Sequence, residues 1–95
     1  METQYIIYLN EQEAWDTINQ INICMGWPDG EGTITWQDYP DQMCEFDLTT
    51  GDKLFIGYGV EITNRIIDCL TPTQKTEILI LPSNINTCAW NPLIN

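Results

Sequence analysis

Residues 4–26 read QYIIYLNEQEAWDTINQINICMG, and this stretch decides the fold. Its first part, residues 4–9, is rich in β-branched and aromatic side chains and is apolar on both faces, which predicts a well-covered β-strand. Asn10 follows in the position of a helix N-cap. Glu13, three residues later, gives the spacing of a capping box. The sequence therefore predicts a strand that turns directly into a helix.

The predicted helix covers residues 11–25. Its apolar residues are spaced four, three and four apart, which places them on one helical face: Ala14, Ile18, Ile21 and Met25. Gly26 follows as a C-terminal stop. A helix with one apolar face needs an apolar surface to cover, and the preceding strand predicts a sheet as that surface.

Downstream of the helix, two further strands are predicted at residues 43–48 and 53–58, joined by a hairpin turn at 49–52. The glycines at positions 57 and 59 indicate a bulge or a close backbone approach. A short strand at 33–36 is a further candidate.

The C-terminal part begins with residues 60–70, which fit either a helix or the end of a strand. Thr71, Pro72 and Gln74 then have the spacing of a capping box with proline at the first helical position, which predicts a short helix over 72–80. Residues 83–95 are predicted to form an extended tail anchored by Trp90.

These elements predict an α+β fold. We expect a small antiparallel sheet of three or four strands, with one long helix packed on a face and a short second helix. Residues 1–82 would form a single compact domain, and residues 83–95 a tail packed on it.

The charge distribution is uneven. The first 52 residues contain eleven acidic side chains and no Lys, Arg or His, and the net charge is −11 with Lys53 as the first base. Most carboxylates therefore lack a cationic partner within the chain and are expected to face water. Such a surface repels nucleic acid and anionic membrane and attracts basic proteins.

The residue inventory argues against an enzyme. The sequence contains no histidine, which excludes Ser–His and Cys–His catalysis. The four cysteines, Cys24, Cys44, Cys69 and Cys88, lack the short paired spacing of zinc ligands. The favoured interpretation is that the cysteines are free and pack as small buried hydrophobes, and a disulfide is the alternative. We expect no cofactor and no metal, although clustered oxygen ligands leave Ca²⁺ as a weaker alternative.

The candidate binding residues lie where aromatic and acidic side chains alternate between positions 27 and 41. They are Trp27, Asp29, Glu31, Trp36, Asp38, Tyr39 and Asp41. Trp and Tyr beside carboxylates are typical of protein–protein hot spots. A sugar-binding surface and tryptophans that merely cover the core are the alternatives.

Three segments resemble small acidic accessory or structural proteins of tailed bacteriophages. They are AWDTINQINICMGWPDGEGTITW at 14–36, LTPTQKTEILILP at 70–82 and the Trp-Asn-Pro at 90–92. The resemblance implies a genomic context near tail and lysis genes. It carries no catalytic residues over to this chain, and the cysteines are not part of the pattern.

Together these observations predict a non-enzymatic protein-binding or assembly protein, associated with a phage virion or accessory to it. Its partner would be a virion component or host effector with a basic patch, or a second copy paired through sheet edges. The alternative is an anti-defence inhibitor that imitates nucleic acid. Met1 is followed by an acid rather than a basic region, so we expect the host cytoplasm or the virion and no secretion.

Overall fold

A computed structural model describes residues 3–26 and 39–93 of the chain. The elements in chain order are β1 (Gln4–Tyr8), α1 (Glu11–Cys24), β2 (Asp41–Phe46), β3 (Lys53–Ile62), a 3₁₀ turn (Ile67–Cys69), α2 (Pro72–Thr76), β4 (Leu79–Ile80) and β5 (Ile85–Thr87). The strands form one antiparallel sheet in the order β4-β1-β3-β2-β5. The α+β class with one long and one short helix is confirmed, but the expected strand number is wrong, since the described residues form five. The candidate strand at 33–36 lies outside the described residues.

Helix α1 begins where its cap predicts. The Asn10 side chain accepts hydrogen bonds from the backbone N–H groups of Gln12 at 2.8 Å and Glu13 at 3.3 Å. The helix packs on one face of β1 and β3. The resulting core consists of Ile6, Ala14, Ile18, Ile21, Val60, Ile62, Ile66 and Leu70.

Strand β3 is bent by the predicted bulge. Met43 pairs with Gly57, but the next residue, Cys44, pairs with Phe55, so Ile56 is the extra residue. Gly57 has a φ of 148°, which L side chains rarely adopt. The bulge increases the local twist and lets the hairpin end of the sheet turn away from its β1 end.

The sheet is strongly curled. Residues 81–84 alone connect β4 on one edge to β5 on the other: the Leu81 N–H donates to the Thr3 carbonyl, and the Phe46 N–H donates to the Asn84 carbonyl. Four residues bridge at most about 14 Å, whereas four strand spacings in a flat sheet amount to about 19 Å. The two edges are therefore drawn towards each other.

The second predicted helix is shorter than expected. Thr71 and Gln74 form the predicted capping box with Pro72 behind the cap, but the helix ends at Thr76 rather than near residue 80. The predicted extent was wrong because Leu79 and Ile80 instead pair with Tyr5 and Gln4 in strand β4. Long-range pairing here overrides the local helical signal.

All four cysteines are in disulfides. Cys24 bonds to Cys69 and Cys44 to Cys88, at sequence separations of 45 and 44. The favoured interpretation of free, buried cysteines was therefore wrong. Each bond closes a long loop, and in the chain-entropy treatment such a loop stabilises a domain by about 4 kcal/mol.

Candidate binding surface

The seven predicted site residues fall into two groups. Five of them, Trp27, Asp29, Glu31, Trp36 and Asp38, lie outside the described residues. Of the other two, Tyr39 is 64% exposed, as a docking residue should be. Asp41 is half-buried at the start of β2.

Asp41 makes a hydrogen bond within the chain. Its Oδ2 accepts a hydrogen bond from the Tyr5 hydroxyl at 3.0 Å. Burial, together with the nearby Asp41 carboxylate, raises the pKa of the Tyr5 phenol well above its usual range. The phenol therefore stays a hydrogen-bond donor at physiological pH. Asp41 joins β2 to β1 across the sheet, and the structure does not present it as a free docking group.

The described carboxylates face outward, as the charge distribution predicts. Nine of the ten are exposed, and Asp41 is the half-buried exception; Lys53, Arg65 and Lys75 are exposed as well. Negative charge is thus available at the surface to a partner from solution.

Much of this charge lies at one end of the sheet. Tyr8, the last residue of β1, pairs with Tyr58, and β3 reaches five residues further to the β2–β3 turn. The chain continues from Tyr8 in the same direction to the start of α1. Five described carboxylates lie between the Tyr8–Tyr58 pair and this end of the sheet, and Lys53 lies near them. The five are Glu11, Glu13, Glu45, Asp47 and Asp52.

Asp47 holds the hairpin turn in place. Its Oδ1 accepts hydrogen bonds from the backbone N–H groups of Thr49 at 2.8 Å and Thr50 at 3.1 Å. These two bonds stabilise the ionised form and lower the pKa of the Asp47 carboxyl. Asp47 is therefore charged at any physiological pH.

Apolar side chains are exposed at the same end. Leu48, Leu54, Phe55 and Leu93 are 46%, 65%, 47% and 55% exposed. We call the hairpin surface the set formed by these four residues and three neighbouring carboxylates: Glu45, Asp47 and Asp52. Exposed apolar groups bordered by charges are typical of protein interaction sites.

Three recesses meet at Lys53 on this surface. A groove of about 500 Å³ is lined by Phe55 and Tyr58 beside the Cys44–Cys88 disulfide. A recess of about 320 Å³ contains Leu54, and one of about 420 Å³ runs along the C-terminal residues. The Lys53 ammonium donates to the Cys88 carbonyl at 2.6 Å. The recesses offer places for several anchoring side chains of a partner.

Two aromatic pairs shape these recesses. The Phe55 and Tyr58 rings meet edge to face with centroids 5.2 Å apart, and the Phe46 and Trp90 rings do so at 5.1 Å. We call residues 88–93 the C-terminal strap, because they lie along the hairpin and Trp90 covers Phe46. Trp90, the expected anchor of the tail, is the residue that makes this contact.

Sequence reasoning did not find the hairpin surface. Its one local signal was the pair Leu54-Phe55 directly after an acidic turn. Alternation along a strand places two adjacent side chains on opposite faces, so a hairpin covered on one face would bury one of the two. Both are exposed, because the hairpin extends beyond the part of the sheet that α1 covers.

The surface offers carboxylates, one ammonium group and apolar side chains, which suit binding. Among residues 3–26 and 39–93, no group of three His, Cys, Asp or Glu side chains is placed to hold a metal ion. Within the same ranges, none of the helices has the length and apolarity to cross a bilayer. Comparison of the chain with protein-family models, curated proteins and solved structures finds no match.

Proposed function

We propose that the chain is a non-enzymatic binding or assembly domain, carried by a phage virion or accessory to it, that docks on a basic protein through the hairpin surface. One observation carries this proposal: exposed apolar side chains and carboxylates occur together around the β2–β3 turn. This observation supports a docking site on the hairpin and strap, whereas the sequence favoured residues 27–41.

The two kinds of group have different roles. Leu54 and Phe55 anchor a partner that contacts both faces of the hairpin, since desolvated apolar and aromatic side chains supply most of the affinity in an interface. Glu45, Asp47 and Asp52 steer a basic partner to the surface and set its orientation, so the association rate should fall as salt rises.

The disulfides favour this function over nucleic-acid mimicry in a host cytoplasm. Thiols are kept reduced in the cytosol, whereas disulfides persist in secreted proteins, in the periplasm and on virions. A surface that interleaves Leu and Phe with carboxylates is also a poor copy of a phosphate backbone. We therefore propose that the protein acts outside the reducing cytoplasm.

A binding experiment with matched variants tests the docking surface. The probe is a basic amphipathic peptide of alternating Lys and Leu, with its Glu-Leu counterpart as a negative control. The target variant is Glu45→Lys with Asp52→Lys. The matched control is Asp68→Lys with Glu77→Lys, which changes the net charge equally at exposed positions away from the hairpin.

We expect the target pair to weaken binding about tenfold at low salt and the control pair less than about twofold. A second comparison uses Leu54→Asn against Ile23→Asn, because both side chains are 65% exposed. Leu54→Asn should weaken binding by about fivefold or more, and Ile23→Asn should not. Equal losses in target and control would place docking elsewhere, provided that circular dichroism shows all variants folded.

The virion assignment has its own test. Mass spectrometry of purified phage particles should detect the polypeptide if it is a virion component. If the protein instead displaces DNA or RNA from a nuclease, and its affinity for the nuclease falls steeply as salt rises, the result would support the alternative function of an inhibitor that imitates nucleic acid.

A further inference from the structure

The C-terminal strap is attached to the sheet mainly through one covalent bond. The disulfide joins Cys88 of the strap to Cys44 of β2. Beside it, the Cys88 N–H donates to the Gln42 carbonyl at 2.9 Å. The preceding strand, β5, is three residues long and pairs with β2.

The strap also packs on the buried Phe46 and on the β2–β3 turn. Trp90 contacts Phe46 edge to face, Lys53 donates a hydrogen bond to the strap, and Leu93 contacts Gly51, where an added Cβ would lie 2.9 Å from Leu93 Cδ1. Glu77 is the last charged residue of the sequence, so no ion pair holds the strap.

The main core does not depend on the strap. The buried cluster between α1 and the sheet extends no further along the chain than Leu70, with Ile78 packed against it. The second disulfide, Cys24–Cys69, joins the end of α1 to the 3₁₀ turn and stays within this core region. The fold is thus divided into a body with its own disulfide and an appended strap with another.

We propose that the Cys44–Cys88 disulfide is a redox-controlled attachment, and that its reduction releases the strap while the body stays folded. Cys44 is 2% exposed, but the half-buried Cys88 lines the groove beside Phe55, so a thiol reductant reaches the bond from the Cys88 side. A dithiol supplies two electrons and two protons: the Cys44–Cys88 bond breaks, both cysteines become thiols, and the reductant forms its own disulfide. Release exposes Phe46, which is 4% exposed under Trp90.

Hydrogen exchange of the full chain, read by NMR, tests this inference independently of any binding partner. The variant without the attachment is Cys44→Ala with Cys88→Ala, and the matched control is Cys24→Ala with Cys69→Ala. The reporters are the amide of residue 88, which donates to the Gln42 carbonyl, and the Trp90 amide, which donates to Thr87. Ile6 and Val60 report on the body.

In Cys44→Ala/Cys88→Ala, the amides of residue 88 and Trp90 should exchange at least about tenfold faster than in the oxidised parent, while Ile6 and Val60 keep their protection. Treatment of Cys24→Ala/Cys69→Ala with dithiothreitol should give the same change, and reoxidation should reverse it. Unchanged protection of the strap amides in the attachment-free variant overturns the inference. Loss of protection at Ile6 and Val60 together with the strap also overturns it, because the bond would then support the whole fold. If Cys24→Ala/Cys69→Ala does not fold, the exchange rates of Cys44→Ala/Cys88→Ala alone test the inference.

Discussion

The face of the sheet opposite α1 is packed so closely at Gly59 that adding a single methyl group should destabilise the fold. A Cβ added there would lie 2.7 Å from Met43 Cγ and 2.8 Å from Tyr5 Cδ2. Favourable carbon–carbon contacts lie at about 3.5–4.0 Å. Met43 is fully buried and cannot swing into solvent. We therefore expect Gly59→Ala to lower the free energy of unfolding by about 1–3 kcal/mol.

The source of this loss can be isolated by a double-mutant cycle. Met43→Ala alone should cost about 2–4 kcal/mol, because it leaves a cavity. In the double variant the new methyl group enters the space that Met43 vacates. The combined loss should therefore fall short of the sum of the two single losses by about 1–2 kcal/mol. Urea unfolding of the oxidised protein, followed by tryptophan fluorescence, measures all four free energies.

A neighbouring glycine supplies the control. At Gly57 an added Cβ would lie 2.6 Å from the backbone carbonyl oxygen of Tyr8, and φ is 148°. Truncating Met43 relieves neither the backbone clash nor the dihedral strain. Gly57→Ala with Met43→Ala should therefore show much less rescue than the Gly59 pair. Strictly additive losses at Gly59, or equal rescue at both glycines, would refute the packing argument.

Two further predictions concern side chains that cap backbone groups. Asn10→Ala should cost about 1 kcal/mol of stability, because two N–H groups of α1 lose their acceptor, whereas Asn10→Asp should be nearly neutral; urea unfolding of both compares them. The Asp47 carboxyl has a lowered pKa in the folded state. Its contribution to the free energy of unfolding is therefore complete above the unfolded pKa of about 3.8 and is lost as the pH falls through the folded pKa. The stability difference between the parent and Asp47→Asn should therefore shrink between about pH 5 and pH 2 in urea titrations, and a difference independent of pH would contradict the assigned cause.

The elements that sequence predicts well are those whose signals are local. Asn10 caps α1, and Thr71 with Gln74 caps α2, because both the cap and the capped groups lie within one helical turn. The bulge near Gly57 is equally local, since the residue type reports the backbone conformation directly. These features need no knowledge of what lies across the sheet.

The features that sequence reasoning missed depend on distant residues. Strand β4 exists because β1 offers it a partner, and nothing around Leu79 indicates this. The disulfides join residues at separations of 45 and 44, and only the sheet order brings β2 and β5 together. The same holds for the binding surface: Asp41 turned inward because Tyr5 lies within hydrogen-bonding distance of it, and Leu54 is exposed because α1 ends its coverage at Tyr58.

The short connection at 81–84 also limits where a ligand can go. By drawing the two sheet edges together, it curls the sheet, and Tyr5 and Met43 fill the space on the face opposite α1 up to the Cα of Gly59. Within the described residues, the space beside Gly59 therefore has no room for a ligand, whereas the recesses around Lys53 are open.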